Sequence, residues 1–181
     1  MARGTVVDVA VIIPDASPVL THARIGRIDL RGTFTVPVRI VDQVNYEIRK
    51  PQNDPKGEVA AALAKLHNQI EVVETNVGVG YQTRRARNPQ EPSGDLGEIA
   101  VDEYATSLAR HTGPGFIPLV LFEDPDVMQL RVARVRGVRM LNTTAWLLTC
   151  TARDCCPRPS TSWSRSTAPA QRRWCRSRKS D

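Results

Sequence analysis

The stretch from Val6 to Leu20 constrains this chain more than any other. Val6-Val7-Asp8-Val9-Ala10-Val11-Ile12-Ile13 is a β-branched run of one strand's length, far too short to span a membrane. Pro14 ends it, and Asp15-Ala16-Ser17-Pro18 reads as a strand-to-helix turn, with Ser17 as the N-cap and Pro18 at the first helical position. The helix continues through Val19, Leu20, Ala23 and Ile25 and breaks at Gly26. In an open α/β sheet, ligands bind at the carboxyl ends of the central strands, and Asp15 sits on such an edge. An acid in this place also reads as nothing more than a helix cap.

The rest of the chain keeps alternating strands and helices. Arg27–Leu30 finishes the first helical region, and Phe34–Val38 reads as a short strand. Val41, Val44 and Ile48 have helical spacing, with Glu47 beside that apolar stripe. Lys50–Lys56 is a Pro/Asn/Asp linker, Glu58–Asn68 an Ala/Leu-rich helix, and Ile70–Glu74 a strand. Thr75–Gly94 reads as a long Gly/Pro/Arg-rich loop carrying Arg84, Arg85 and Arg87. Asp95-Leu96-Gly97-Glu98 opens a helix whose inward side is Ala100, Val101, Tyr104, Ala105 and Leu108. Ile117–Phe122 is a continuous apolar run, as in a strand buried on both faces, and it ends in Glu123-Asp124-Pro125-Asp126. Leu130–Val135 reads as a helix and Val138–Leu141 as a last strand, with Asn142-Thr143-Thr144 capping a helix that begins at Ala145. The alternation implies a parallel sheet with helices on both faces, a three-layer α/β/α sandwich of Rossmann-like type.

Charge divides the chain in two. The net charge of +6 would suggest an acidic partner, yet residues 1–150 hold 17 basic and 17 acidic residues. Residues 151–181 hold 8 basic and 2 acidic residues and supply the whole excess. All four cysteines (Cys150, Cys155, Cys156 and Cys175) also fall at position 150 or later. A body without cysteine suits a reducing cytoplasm, and the N-terminus shows no signal peptide.

Acids recur at strand ends and helix starts: Asp15, Glu47, Glu98 and Asp124, with Asp126 beside the last. Each has an innocent explanation alone, as a cap, a solvated side chain or a first-turn acid favoured by the helix dipole. Four converging on one sheet edge would repel unless a cation held them together. An all-oxygen site suits Mg²⁺ or Mn²⁺, which activate water for phosphodiester hydrolysis, often as two ions roughly 3.5–4 Å apart. No Cys or His cluster in the body offers a zinc site, and His22, His67 and His111 are expected on the surface.

Five short segments in order, Pro14-Asp15-Ala16-Ser17-Pro18-Val19-Leu20, Val44-Asn45-Tyr46-Glu47-Ile48, Gly94-Asp95-Leu96-Gly97-Glu98, Leu119–Asp126 and Leu141-Asn142-Thr143, resemble a PIN domain over residues 6 to about 148. The resemblance implies a PIN-like nuclease fold, metal-dependent RNA cleavage and, in VapC-type members, the toxin of a toxin–antitoxin pair with a cognate antitoxin as partner. It implies Asp15, Glu47, Glu98 and Asp124 as catalytic acids and metal ligands, with Asp126 a neighbouring ligand. Ser17 and Thr143 match its supporting hydroxyls. The third motif departs from the pattern, with Gly-Glu where many members have Asp, and leaves Asp95 and Glu98 as alternatives. Arg84, Arg85 and Arg87 are candidate RNA contacts. A non-catalytic PIN-like module that binds protein or RNA is the second function class.

The division falls at residues 1–149 and 150–181. The tail is Arg-, Ser-, Pro-, Cys- and Trp-rich without periodicity, as expected of a disordered segment or of GC-rich DNA read out of frame. Codons for Asp154-Cys155-Cys156-Pro157 read in the neighbouring frame give Leu-Leu followed by Pro or Ser, the opening of an amphipathic helix. Arg172, Arg173, Arg176, Arg178 and Lys179 carry charge with no apolar stripe, and a body deprived of its last helix would expose a face that favours a homodimer.

Overall fold

A computed structural model describes residues 9–26, 36–66, 70–113 and 115–155. Val6–Asp8, Arg27–Leu30, Phe34–Thr35, His67–Asn68 and the tail beyond Cys155, including Arg172–Lys179, lie outside the described residues. The elements run β1 (Val9–Pro14), α1 (Ala16–Arg24), β2 (Val38–Val41), α2 (Asp42–Ile48), α3 (Glu58–Lys65), β3 (Ile70–Val73), α4 (Asn76–Arg87), α5 (Leu96–His111), β4 (Ile117–Phe122), β5 (Arg139–Asn142) and α6 (Thr143–Cys155). Two 3₁₀ turns, Pro125–Gln129 and Arg131–Arg134, link β4 to β5.

All five strands are parallel, in the order β3-β2-β1-β4-β5. The chain moves outward from β1 to β3, then crosses back to β4 on the other side of β1. Right-handed crossovers place the first connections on one face and the later ones on the other, which gives the three-layer α/β fold. The reversal between β1 and β4 is the topological switch point, where the crevice of such sheets opens. Asp15 ends β1 at that crevice, and its N–H donates to Leu121 O at 2.9 Å.

The core is built where the sequence is most continuously apolar. Val11, Ile12, Ile13, Val120 and Leu121 are fully buried, and Val38, Ile40, Val41, Val44, Ile48, Ala100, Val101 and Ala105 close over them. Pro118 lies inside a central strand, although it cannot donate to a ladder. It is accommodated because it pairs with Val11 where the β1–β4 register shifts, and the β4–β5 ladder begins only at Leu119.

Several sequence expectations are corrected. The first helix starts at Ala16 with Asp15 as its N-cap, so Ser17 and Pro18 sit inside the first turn, where an N–H is not needed for the helix ladder. The strand expected at Phe34–Val38 instead begins at Val38. The expected loop Thr75–Gly94 contains the twelve-residue helix α4. The expected helix Leu130–Val135 is a bend followed by a 3₁₀ turn. His22 is buried rather than exposed, with Nδ1 2.7 Å from Pro18 O. His111 is exposed at the end of α5. The α6 helix runs past position 149, and Trp146 and Cys150 belong to the core. No helix among the described residues is long and apolar enough to cross a membrane.

Candidate active site

Each acid is placed by a local reason. Asp15 is carried by the buried end of β1 and is only 7 % exposed. It occupies the N-cap position of α1 without a side-chain capping bond. Capping therefore does not account for an acid there. Burial pushes its pKa up from 3.8 to about 6; the Ala16 N–H pulls it back, and the charges of Glu47, Asp124 and Glu123 add to the rise. Asp15 after β1, Glu47 on α2 after β2, and Glu123 and Asp124 after β4 thus come from three strand-to-helix units, which is what convergence on one edge means electrostatically.

Glu47 stands on α2, half-buried. Its Oε1 accepts the Gly97 N–H at 3.2 Å, so the carboxylate rests on the N-terminal turn of α5. The close approach requires glycine: a Cβ at position 97 would lie 2.7 Å from Glu47 Oε2. Burial raises the Glu47 pKa, Lys50 and the Gly97 N–H oppose the rise, and Glu98 and Asp95 reinforce it. Glu98 follows directly on α5. Burial raises its pKa too, with further repulsion from Asp15, Asp95, Asp124 and Asp126.

Asp124, at the mouth of β4, is exposed, and its Oδ1 accepts the Asp126 N–H at 2.9 Å to cap the following 3₁₀ turn. Asp126 and Asp95 are exposed. Thr143, the first residue of α6 after β5, is buried, and its Oγ1 has no hydrogen-bond partner among the described residues. Ser17 is half-buried in the first turn of α1. The acids thus feel one another across the switch point. Among the described residues, no three Asp, Glu, His or Cys side chains stand close enough together to ligate one ion. The donor set itself, carboxylates with a buried unpartnered hydroxyl at the end of the neighbouring strand, has the chemistry of a hard divalent cation site.

The three arginines fall on the last turn of α4 and are exposed. They differ in surroundings. Arg84 Nε pairs with Glu91 Oε1 at 2.9 Å, whereas the Arg85 guanidinium lies over the Tyr46 ring.

Sequence reasoning missed two residues here. Glu123 adds to the repulsion on Asp15 despite being exposed. Gln43, one turn before Glu47 on α2, is 1 % exposed, with an unpartnered Oε1 among the described residues. The signal for Gln43 was an amide next to Val44, at a helix start that follows a buried strand. Nothing in its residue type separates it from a surface amide.

No protein-family model matches this chain, and no curated protein sequence matches it. Among solved structures, the PIN domain of RRP44 from T. brucei is similar, with 18 % identity and a TM-score of 0.49. The match covers 81 % of this chain and 82 % of that one.

Proposed function

We propose that this chain is a PIN-like, metal-dependent endoribonuclease. The observation that carries the reading is the mutual charge repulsion of Asp15, Glu47, Glu98 and Asp124 at the switch point of a parallel sheet, with Asp15 raised to about 6. An acid buried against its own kind, with only the Ala16 N–H to offset the burial, stores a cost that a bound cation relieves. The order of the five motifs, described above, supports the same reading.

In this reading Asp15, Glu47, Glu98 and Asp124 hold Mg²⁺ or Mn²⁺, with Asp126 as a neighbouring ligand and Asp95 exposed at the entrance. When bound, such an ion polarises a phosphoryl oxygen and lowers the pKa of a water for attack on the phosphodiester. Glu47 is kept aimed by the Gly97 N–H. Thr143 and Ser17 orient water at the edge, and Arg84, Arg85 and Arg87 face the RNA strand. A cytoplasmic toxin role with a small antitoxin partner rests on the motif resemblance.

The test is hydrolysis of single-stranded RNA by the full chain. Cleavage should need Mg²⁺ or Mn²⁺, stop in chelator, and fall about a hundredfold or more in Asp15→Asn. Equal cleavage by Asp15→Asn, or by the wild type in excess chelator, would assign the activity elsewhere. RNA binding without any metal-dependent cleavage would make the chain a non-catalytic binding module.

A further inference from the structure

Tyr46 immediately precedes Glu47 on α2, and two cations crowd its ring. Arg85 Cζ lies 4.8 Å from the ring centroid and Lys50 Nζ 5.3 Å from it. Tyr81, buried on α4, packs against the same ring at 5.5 Å with an interplanar angle of 54°. The arrangement joins the last turn of α2 to the last turn of α4. Lys50 is additionally held by Ser93, with Nζ donating to Oγ at 2.6 Å.

Both cations meet at one ring, which neither Arg49 nor Arg87 is seen to do. Among the described residues, the ion pairs are Arg39–Glu71, Lys56–Glu58 and Arg84–Glu91, and neither Arg85 nor Lys50 takes part in one. Arg84, one residue away, is already neutralised. Two like charges gathered at one aromatic ring, with no carboxylate in ion-pair contact among the described residues, raise the local positive potential and favour an anion nearby. Their position gives the anion a purpose. The acidic edge repels a polyanion, and Lys50 is near enough to Glu47 to oppose the rise of its pKa.

We propose that Lys50 and Arg85, braced by Tyr46, form a phosphate subsite that guides an RNA strand to the acidic edge from the side of α2 and α4. The identity of the strand as substrate rests on the function proposed above; the subsite itself rests on the two unpaired cations. Arg85 supplies a planar fork for phosphate oxygens and Lys50 a compact charge. Tyr46 and Tyr81 are positioning residues, which limit where the two cations sit. Of the three arginines on α4, Arg85 is the principal contact.

The experiment measures binding of a fluorescein-labelled single-stranded oligoribonucleotide to the full chain in chelator, as a function of salt, beside a cleavage assay with Mg²⁺. Arg85→Gln and Lys50→Gln should each weaken binding on the order of tenfold, as expected for loss of one charge-assisted phosphate contact. Each should lower the slope of log affinity against log salt by about 0.7, the single-strand value per phosphate contact. Tyr46→Leu removes the ring that places both cations and should weaken binding less than either charge loss while leaving the salt slope near the wild-type value, and Arg84→Gln should change affinity and slope less than Arg85→Gln. Unchanged affinity and slope in Arg85→Gln and Lys50→Gln, with unchanged melting, overturns the subsite even if the wild type cleaves RNA. Loss of binding in these variants supports it even if the wild type proves unable to cleave. Absence of RNA binding by the wild type also overturns it.

Discussion

The β1–β4 pair and the α4 helix are held by different physics. In β1 and β4, nine of the twelve positions are buried and apolar: Val11, Ile12, Ile13, Leu119, Val120, Leu121 and Phe122, with Pro14 and Pro118. In α4 only Gly78 and Tyr81 are buried. What fastens α4 is a set of polar bonds at its first turn. Asp42 accepts from the Thr75 N–H and hydroxyl at 3.2 and 2.8 Å, and Glu103 accepts from Asn76 and Val77. Thr75 Oγ1 in turn accepts the Gly78 N–H at 3.0 Å. Asp15 thus stands on an apolar floor, while the basic helix is tied at its first turn by polar contacts and farther along by Tyr81 against the Tyr46 ring.

That contrast can be broken or sharpened by mutation. The largest effect is expected at the floor. Ile13→Ala removes a fully buried side chain beneath the crevice and should cost about 2–5 kcal/mol in denaturant unfolding. A cost within a few tenths of a kcal/mol of zero would mean that the β1–β4 core does not carry the fold.

Asp15→Asn should have nearly as large an effect with the opposite sign. A carboxyl group whose folded pKa of about 6 exceeds its ordinary 3.8 favours folding only when protonated. The wild type therefore loses stability as pH rises from about 4 through about 6, to a total of about 3 kcal/mol at neutral pH. In chelator at pH 7, Asp15→Asn should be more stable by up to about that amount, and the two proteins should melt alike near pH 4. A destabilised Asp15→Asn at pH 7 would show that the carboxylate serves the fold.

The smallest of these effects should be confined to the polar tether. A Cβ at Gly78 would run into the Asp42 carboxylate, so Gly78→Ala must displace it and open the start of α4. The expected cost is about 1–3 kcal/mol. Hydrogen exchange should quicken through α4 and stay slow in β1 and β4. Equal acceleration in both regions would erase the distinction between them.

The same difference explains what could be read in advance. The β1, β4 and α5 elements, and an acid at the end of each strand, were legible because buried parallel strands need unbroken apolar runs and helices need a periodic stripe. The α4 helix was not legible: its two glycines and low apolar content read as loop, and its support comes from Asp42 and Glu103, far away in sequence. The Phe34–Val38 strand was misplaced for a related reason. Val36-Pro37-Val38 is as β-branched as Val38–Val41, and only pairing of Val38–Val41 with β3 chose between them.

The sequence by itself determined the α/β class and the central buried strands, because burial and periodicity act locally on the chain. Only the tertiary structure decided that Gly97 is a seat for Glu47, that Arg84 is neutralised while Arg85 is left to a ring, and that Asp15 is desolvated among other acids. Each of these depends on the distance between residues remote in sequence, and electrostatic and contact energies depend on that distance rather than on residue type.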